Sequence, residues 1–320
     1  MFKKVNITVL LIVLIALLGV YLVIKYTGGD DRTFRSIVLE FDPEAITEMH
    51  INDYPEGKEL KIILDEGTWK IHHGDAVLPA DPDLMRNTLA LLSRMNTESI
   101  AATGKGQWEA YNVDQQQAIR VILYEGKKKA GDLYIGKFDF KQLPAAAPGR
   151  QPETTMTSYV RPAEEKKVYA VRGLVRSNFQ GGVKTFRNRI LFDTDKHTNI
   201  TTVSLSGPES SFILQQGPAG WTIDGLPADS ARTDRYLRLL ARLRNSNFVE
   251  DINLENTDPA YTLQIEGNNF APASLNAYPT NSASMYYITS SINPGTVFDG
   301  TKAKLFEKVF IGKDDLLPGE

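Results

Sequence analysis

The sequence predicts an α+β fold: an N-terminal transmembrane helix followed by two tandem, homologous strand-rich modules, each a mostly antiparallel sheet with one packed helix. Three observations predict it. An uncharged apolar run fills residues 5–24; a hairpin pattern with Gly and Trp at its return strand occurs twice; and a Pro-Ala-Asp helix start follows that hairpin both times.

Residues 5–24 read VNITVLLIVLIALLGVYLVI. As a helix this stretch covers roughly 30 Å, the thickness of one hydrocarbon core. Only Asn6 and Thr8 are clearly polar, both near the start, and Tyr21 lies near the other end, where aromatic rings favour the interface. Lys3 and Lys4 precede the run, and Lys25 is soon met by Asp30 and Asp31. The positive-inside rule therefore places residues 1–4 in the cytoplasm as a short tail, residues 5–25 in the bilayer and the rest outside. A cleaved signal peptide would lead from a shorter apolar region into a small-residue site. Here the run continues into Lys25-Tyr26, so the expectation is an uncleaved anchor.

The first module is expected over 36–181 and the second over 189–312. An apolar strand in Ser36-Ile-Val-Leu-Glu-Phe-Asp42 is expected to lead through an Asp turn into a second, alternating strand ending at Ile51, and one in Arg189-Ile-Leu-Phe-Asp193 likewise into Ile200-Thr-Thr-Val-Ser-Leu205. The hairpin around Asp65-Glu-Gly-Thr-Trp69 is echoed by Gly217-Pro-Ala-Gly-Trp221. Pro79-Ala-Asp81 and Pro227-Ala-Asp229 then supply N-caps, with Pro82 at the first helical position, where its missing N–H costs nothing. An offset of 148 pairs Leu89, Leu91, Leu92 and Met95 with Leu237, Leu239, Leu240 and Leu243, one apolar stripe shared by both helices.

Further strands are expected at 118–124, 133–135, 158–160 and 168–171, and at 261–265, 275–277 and 285–289. Short terminal helices follow at 174–179 and 304–310. Lys127-Lys-Lys129 marks an exposed hairpin turn, and the Pro-dense 144–152 a loop insertion.

Composition narrows function more than it defines it. The 320 residues are 42% hydrophobic and 23% charged, enough for a buried core. Cysteine is absent, which removes disulfides, thiolate metal sites and cysteine nucleophiles. Lys and Arg number 36 against 39 Asp and Glu, so nucleic acid is not an expected partner. Neither a nucleophile elbow nor a phosphate-binding loop occurs; Ala102-Thr-Gly-Lys-Gly106 lacks the first glycine and the hydroxyl after lysine. His72 and His73 are adjacent, so on a strand they point to opposite faces and are poorly placed to share a metal. Asp65-Glu66 and Asp314-Asp315 read as solvated acids, and Trp69 and Trp221 as aromatics filling one core slot twice. No catalytic residue, cofactor or metal ligand is therefore assigned. The candidate site is Arg232, Arg235, Arg238 and Arg242, spaced 3, 3 and 4 along the second helix as one cationic face for an acidic partner or the membrane surface, or paired with Asp234 and Glu250.

The hairpins, the caps and the strings Leu133-Tyr-Ile-Gly136, Ser158-Tyr-Val-Arg161, Val168-Tyr-Ala-Val171 and Trp221-Thr-Ile-Asp-Gly225, in that order, resemble the bacterial domain of unknown function 4340 family over most of 36–312. That resemblance implies no established catalytic residues. It implies an envelope accessory protein of the Gram-negative inner membrane, with its bulk in the periplasm and an ABC-2 type export permease or a gliding-motility-like transporter component as partner. The expected function is thus a membrane-anchored binding or scaffold subunit. The alternatives are a periplasmic glycan- or lipid-binding protein using a groove between modules, or a carboxylate-dependent hydrolase.

Overall fold

The computed structural model describes residues 35–53, 58–142, 154–280 and 285–319, together with Leu14, Leu17 and Leu18, which are helical and exposed. The expected anchor and the 144–152 insertion otherwise lie outside the described residues. Among those described, no helix is long and apolar enough to cross a membrane.

The first half of the chain forms β1 (Glu48–Asp53), β2 (Lys58–Asp65), β3 (Thr68–His73), β4 (Ala76–Pro79), helix α1 (Pro82–Ser93), β5 (Thr97–Ala102), β6 (Ile119–Glu125), β7 (Lys128–Gln142), β8 (Thr154–Pro162) and β9 (Val168–Arg172). These strands make one sheet in the order β4-β3-β2-β1-β6-β7-β8-β9-β5, and every pairing in it is antiparallel. A short helix, α2 (Val183–Phe186), leads out of it.

The second half forms β10 (Ile190–Asp193), β11 (Ile200–Ser206), β12 (Phe212–Gly217), β13 (Gly220–Ile223), β14 (Leu226–Pro227), α3 (Ser230–Leu240), β15 (Arg242–Arg244), β16 (Phe248–Val249), β17 (Tyr261–Gly267), β18 (Ala273–Pro279), β19 (Tyr286–Ser290), β20 (Val297–Asp299) and α4 (Leu305–Val309). Its main sheet runs β14-β13-β12-β11-β17-β18-β19-β20-β16, again antiparallel throughout, while β10 and β15 pair separately. With β5 set against β16 and β6–β9 against β17–β20, the two main sheets have the same strand order.

Local chemistry explains the elements. Glu66-Gly67 and Asp224-Gly225 take the left-handed backbone that a two-residue hairpin turn demands, which glycine adopts without penalty. Asp81 accepts the N–H groups of Asp83 and Leu84 and starts α1; Asp229 accepts that of Arg232 and starts α3. Met85, Leu89 and Leu92 of α1 are buried against the first sheet, and Tyr236, Leu237 and Leu240 of α3 against the second. Each such side chain contributes about 1.5–3 kcal/mol by burial.

The repeated hydrogen bonding extends to the sheet edges. Ala80 N–H donates to Trp69 O, and Ala228 N–H to Trp221 O; Asp81 N–H donates to Phe186 O, and Asp229 N–H to Leu316 O.

Four expectations are corrected. Residues 36–41 form no strand beyond a single bridge from Ile37 to Asn96; on either side of it Val38 N–H donates to Met95 O and Thr97 N–H to Ser36 O, and Val38 and Leu39 are buried. The helix expected at 174–179 is a 3-10 turn at Arg176–Asn178, tied by Ser158 Oγ, which accepts the Val175 N–H. The one expected at 304–310 is α4, shortened because Lys304 takes a left-handed conformation. Lys128 and Lys129 belong to β7, so the turn is Gly126-Lys127 alone.

Candidate functional site

The arginine face does not survive as one helix stripe. The helix α3 stops at Leu240, and Arg242 stands on β15, paired with Asp193 of β10. Neither Gly nor Pro marks that stop; it is imposed by pairing with β10. Arg232 donates to the backbone carbonyls of Leu317 (3.1 Å) and Asp314 (3.5 Å), fastening the C-terminal segment. Arg238 Nε donates to Asp234 at 2.7 Å, and His197 Nε2 lies 2.9 Å from the other oxygen of that carboxylate. The hydrogen bond from Arg238 holds Asp234 below the ordinary carboxylate range. Glu250 pairs not with this helix but with Arg187. Arg235 and Arg242 remain exposed and have no side-chain partner among the described residues.

Arg242 lines two adjoining surface cavities of about 580 and 520 Å³, which share Thr194 and Asp195 as well. Asp193 and Arg244 face one of them, Lys196, His197 and Arg238 the other. This groove mixes both signs of charge, so it suits a polar, zwitterionic contact better than a purely acidic one.

A second surface lies where the two halves meet. The linker after α2 forms a bridge with the end of β4, Ala80 opposite Arg187, and Asn188 N–H donates to Pro79 O at 2.9 Å. From the other half, Asn293 Nδ2 donates to the carbonyls of Asn188 and Ile190, each at 3.0 Å. Arg244 reaches back to Asp81 and Asp83, both at 3.4 Å, and to Asp193 at 3.1 Å. Arg187, only 3% exposed, stacks on Phe248 at 4.0 Å. Beside these bonds opens a cleft of about 470 Å³ lined by Trp69, Val77, Leu78, Pro82, Ile292 and Pro294. Trp69 thus both packs on the first core and walls the cleft, whereas Trp221 packs on the second core.

A third cluster was not legible beforehand. The segment between β5 and β6 folds over the face of the first sheet opposite α1, forming a small core with Val113, Tyr134 and Val168. Arg161 lies within it, 2% exposed, its guanidinium 3.7 Å from the Trp108 ring and 4.1 Å from that of Tyr134. Gly136 permits the approach: a Cβ there would stand 2.1 Å from Tyr111 O. The sequence signal was Gly136 directly after Leu133-Tyr134-Ile135 and Arg161 directly after Tyr159-Val160.

The remaining candidates are accounted for locally. His72 and His73 sit on β3 opposite Val77 and Ala76, on opposite faces. His50 lies between Glu48 (2.5 Å) and Glu59 (3.2 Å). Among the described residues no three His, Asp or Glu side chains are grouped to hold a metal. Asp65 accepts a 2.6 Å hydrogen bond from Lys70.

Asp132 is 5% exposed. Burial would raise its pKa, but hydrogen bonds from Arg120 and Lys129 outweigh it and hold the carboxyl below its ordinary range. A depressed carboxylate pKa stabilises the fold above its unfolded value of about 4, and the contribution is lost as pH falls through the lower folded value. Urea midpoints of the native chain and Asp132→Asn should therefore differ at neutral pH and converge below about pH 4. A constant gap down to pH 2 would show that the charge contributes nothing.

Residues 69–264, well over half of the chain, match the family described as Domain of unknown function (DUF4340), and the chain belongs to that family. The match begins in the first sheet and ends in the second. No curated protein and no solved structure matches the chain.

Proposed function

We propose that this chain is a non-catalytic binding or scaffold subunit, held at the outer face of a bacterial inner membrane by residues 5–25 and serving an ABC-type export or envelope complex. In this reading 36–181 and 189–312 are tandem copies of one module, a view supported by the shared strand order and by the matching bonds at Ala80 and Ala228 and at Asp81 and Asp229. The observation that carries the reading is the junction. Backbone bridging to the linker and the contacts of Asn293 and Arg244 join the two halves, while an open cleft is left on the surface together with Arg235 and Arg242, whose side chains have no partner among the described residues. Such a frame suits holding a partner at a fixed geometry.

Asp132, Asp224, Asp234 and Asp299 are shifted downward, the direction that keeps a carboxylate ionised, so none of these four is poised as the general acid a hydrolase would need. A glycan- or lipid-binding role has one observation in its favour, Trp69 in the wall of the junction cleft.

Affinity purification of the tagged full-length chain from native membranes in mild detergent tests the proposal. An integral membrane protein should copurify in stoichiometric amount, and Arg235→Glu with Arg242→Glu should lower its recovery at least tenfold. A chain that emerges alone at every detergent and salt condition overturns the reading. Unchanged recovery with the double variant removes the arginines from it.

A further inference from the structure

We propose that the outer edge of β4 is a docking slot for one extended segment of a partner protein, which adds to the first sheet as a further strand and places an apolar side chain in the junction cleft. The inference rests on the binding-subunit reading and names the chemistry of what is bound.

The strand β4 ends the first sheet, with β3 on its inner side. Its outer side already pairs at one end: Ala80 bridges Arg187, Pro79 O accepts from Asn188 and Asp81 N–H donates to Phe186. The slot continues that interface. Ala80 N–H donates inward to Trp69 O, so the rung between positions 69 and 80 is hydrogen-bonded. In an antiparallel ladder such rungs alternate. With Lys70 opposite Pro79 and His72 opposite Val77, the alternation turns the N–H and C=O of Val77 outward. Neither has a partner among the described residues. The linker leaves the edge before reaching them, as Asn188 and Ile190 are held by Asn293.

An outward N–H and C=O on one residue match another backbone, which offers both groups at the same spacing; a lipid tail offers neither. Alongside lies the cleft of about 470 Å³, with Val77 54% and Ile292 41% exposed. The arrangement is not required by the fold. In the second sheet the corresponding hairpin closes at Ile223 opposite Leu226, and β14 has two residues where β4 has four. The rungs His72–Val77 and His73–Ala76 are the first sheet's own addition.

The test uses the full-length chain and a random dodecapeptide library displayed on phage. Selected peptides should bind with affinity lowered at least tenfold by Val77→Pro, which removes the outward N–H while leaving the inward rungs intact, and by Ile292→Asp, which charges the cleft. Hydrogen exchange at the Val77 amide should be fast in the free chain and slowed at least tenfold by bound peptide. Circular dichroism matching the native chain certifies that either variant is folded; should Val77→Pro fail this, the Ile292→Asp affinity and the exchange measurement on the native chain decide. Peptides insensitive to the variants, no peptides at all, or a Val77 amide already protected in the free chain would each overturn the proposal. Dimerisation of the native chain, lost in Ile292→Asp, would assign the slot to a second copy and overturn the partner assignment. Failure here with a membrane protein still copurifying leaves the binding-subunit reading standing; copurification failing as well removes both.

Discussion

Replacing Arg161 by methionine is expected to cost the folded chain about 4 kcal/mol, measured by urea unfolding followed in the near-UV circular dichroism of its aromatic cluster. Exchanging a buried ion for an apolar side chain of similar size is often neutral, because desolvation of the charge is relieved. The surroundings of Arg161 decide otherwise. Its Nε donates to Val113 O at 3.1 Å, and Nη1 faces the carbonyls of Pro162, Ala163 and Glu165, each at 3.4 Å. Methionine would strip the donor from buried oxygens, at about 1–3 kcal/mol for each left without water. It would also forfeit a desolvated contact with two aromatic faces, worth about 2 kcal/mol. Lysine should rescue little, since a compact ammonium cannot lie flat between Trp108 and Tyr134 while reaching Val113. A methionine variant within about 1 kcal/mol of the native chain would mean that relief of desolvation wins, and that the guanidinium is not what holds the 105–113 segment to the sheet.

Arg161 also shows where sequence reasoning ends. A lone charge in an alternating strand reads as the solvent-facing position, and it becomes buried only because a segment nearly fifty positions earlier folds over that face. Features resting on neighbours in sequence were readable: the Asp81 and Asp229 caps, the Glu66-Gly67 turn and the buried Leu89, Leu92, Leu237 and Leu240 follow from local steric and hydrogen-bonding rules, whereas Leu91 of the expected stripe is exposed, Met95 lies beyond α1 and Leu243 stands on β15. Features set by distant pairing were not. The arginine face was broken by β15 joining β10, and Glu250 was taken by Arg187. The junction cleft depends on the β4 edge meeting residues 292–294 of the β19–β20 loop, which no local pattern encodes. The fold was therefore more legible than the candidate site, because a sheet announces its own period and turns while a surface is assembled from what arrives beside it.

Asp81→Ala is expected to destabilise the chain by about 2–3 kcal/mol, against about 1 kcal/mol for Asp229→Ala at the matching cap. Both residues begin a helix, but their surroundings differ. Asp81 is 1% exposed, and one of its oxygens accepts from Asp83 and Leu84, both at 3.1 Å, while the other faces Arg244 at 3.4 Å. Asp229 is half-buried and accepts the single N–H of Arg232 at 2.8 Å. Alanine at 81 leaves two N–H groups without their acceptor at a site water reaches poorly, so the loss exceeds that of an open cap. Arg244 is not orphaned, since Asp83 and Asp193 still face it. Its partly exposed pairing with Asp81 should therefore add only about 0.5–1 kcal/mol. Asparagine separates the two contributions, because it caps as well as aspartate but carries no charge. Asp81→Asn should lose only the ionic part, and a double-mutant cycle with Arg244→Met should return a coupling of that size. Equal costs for the alanine variants at 81 and 229, with no coupling to Arg244, would mean that the junction is held by the backbone bridge at Arg187 and the amide of Asn293 alone.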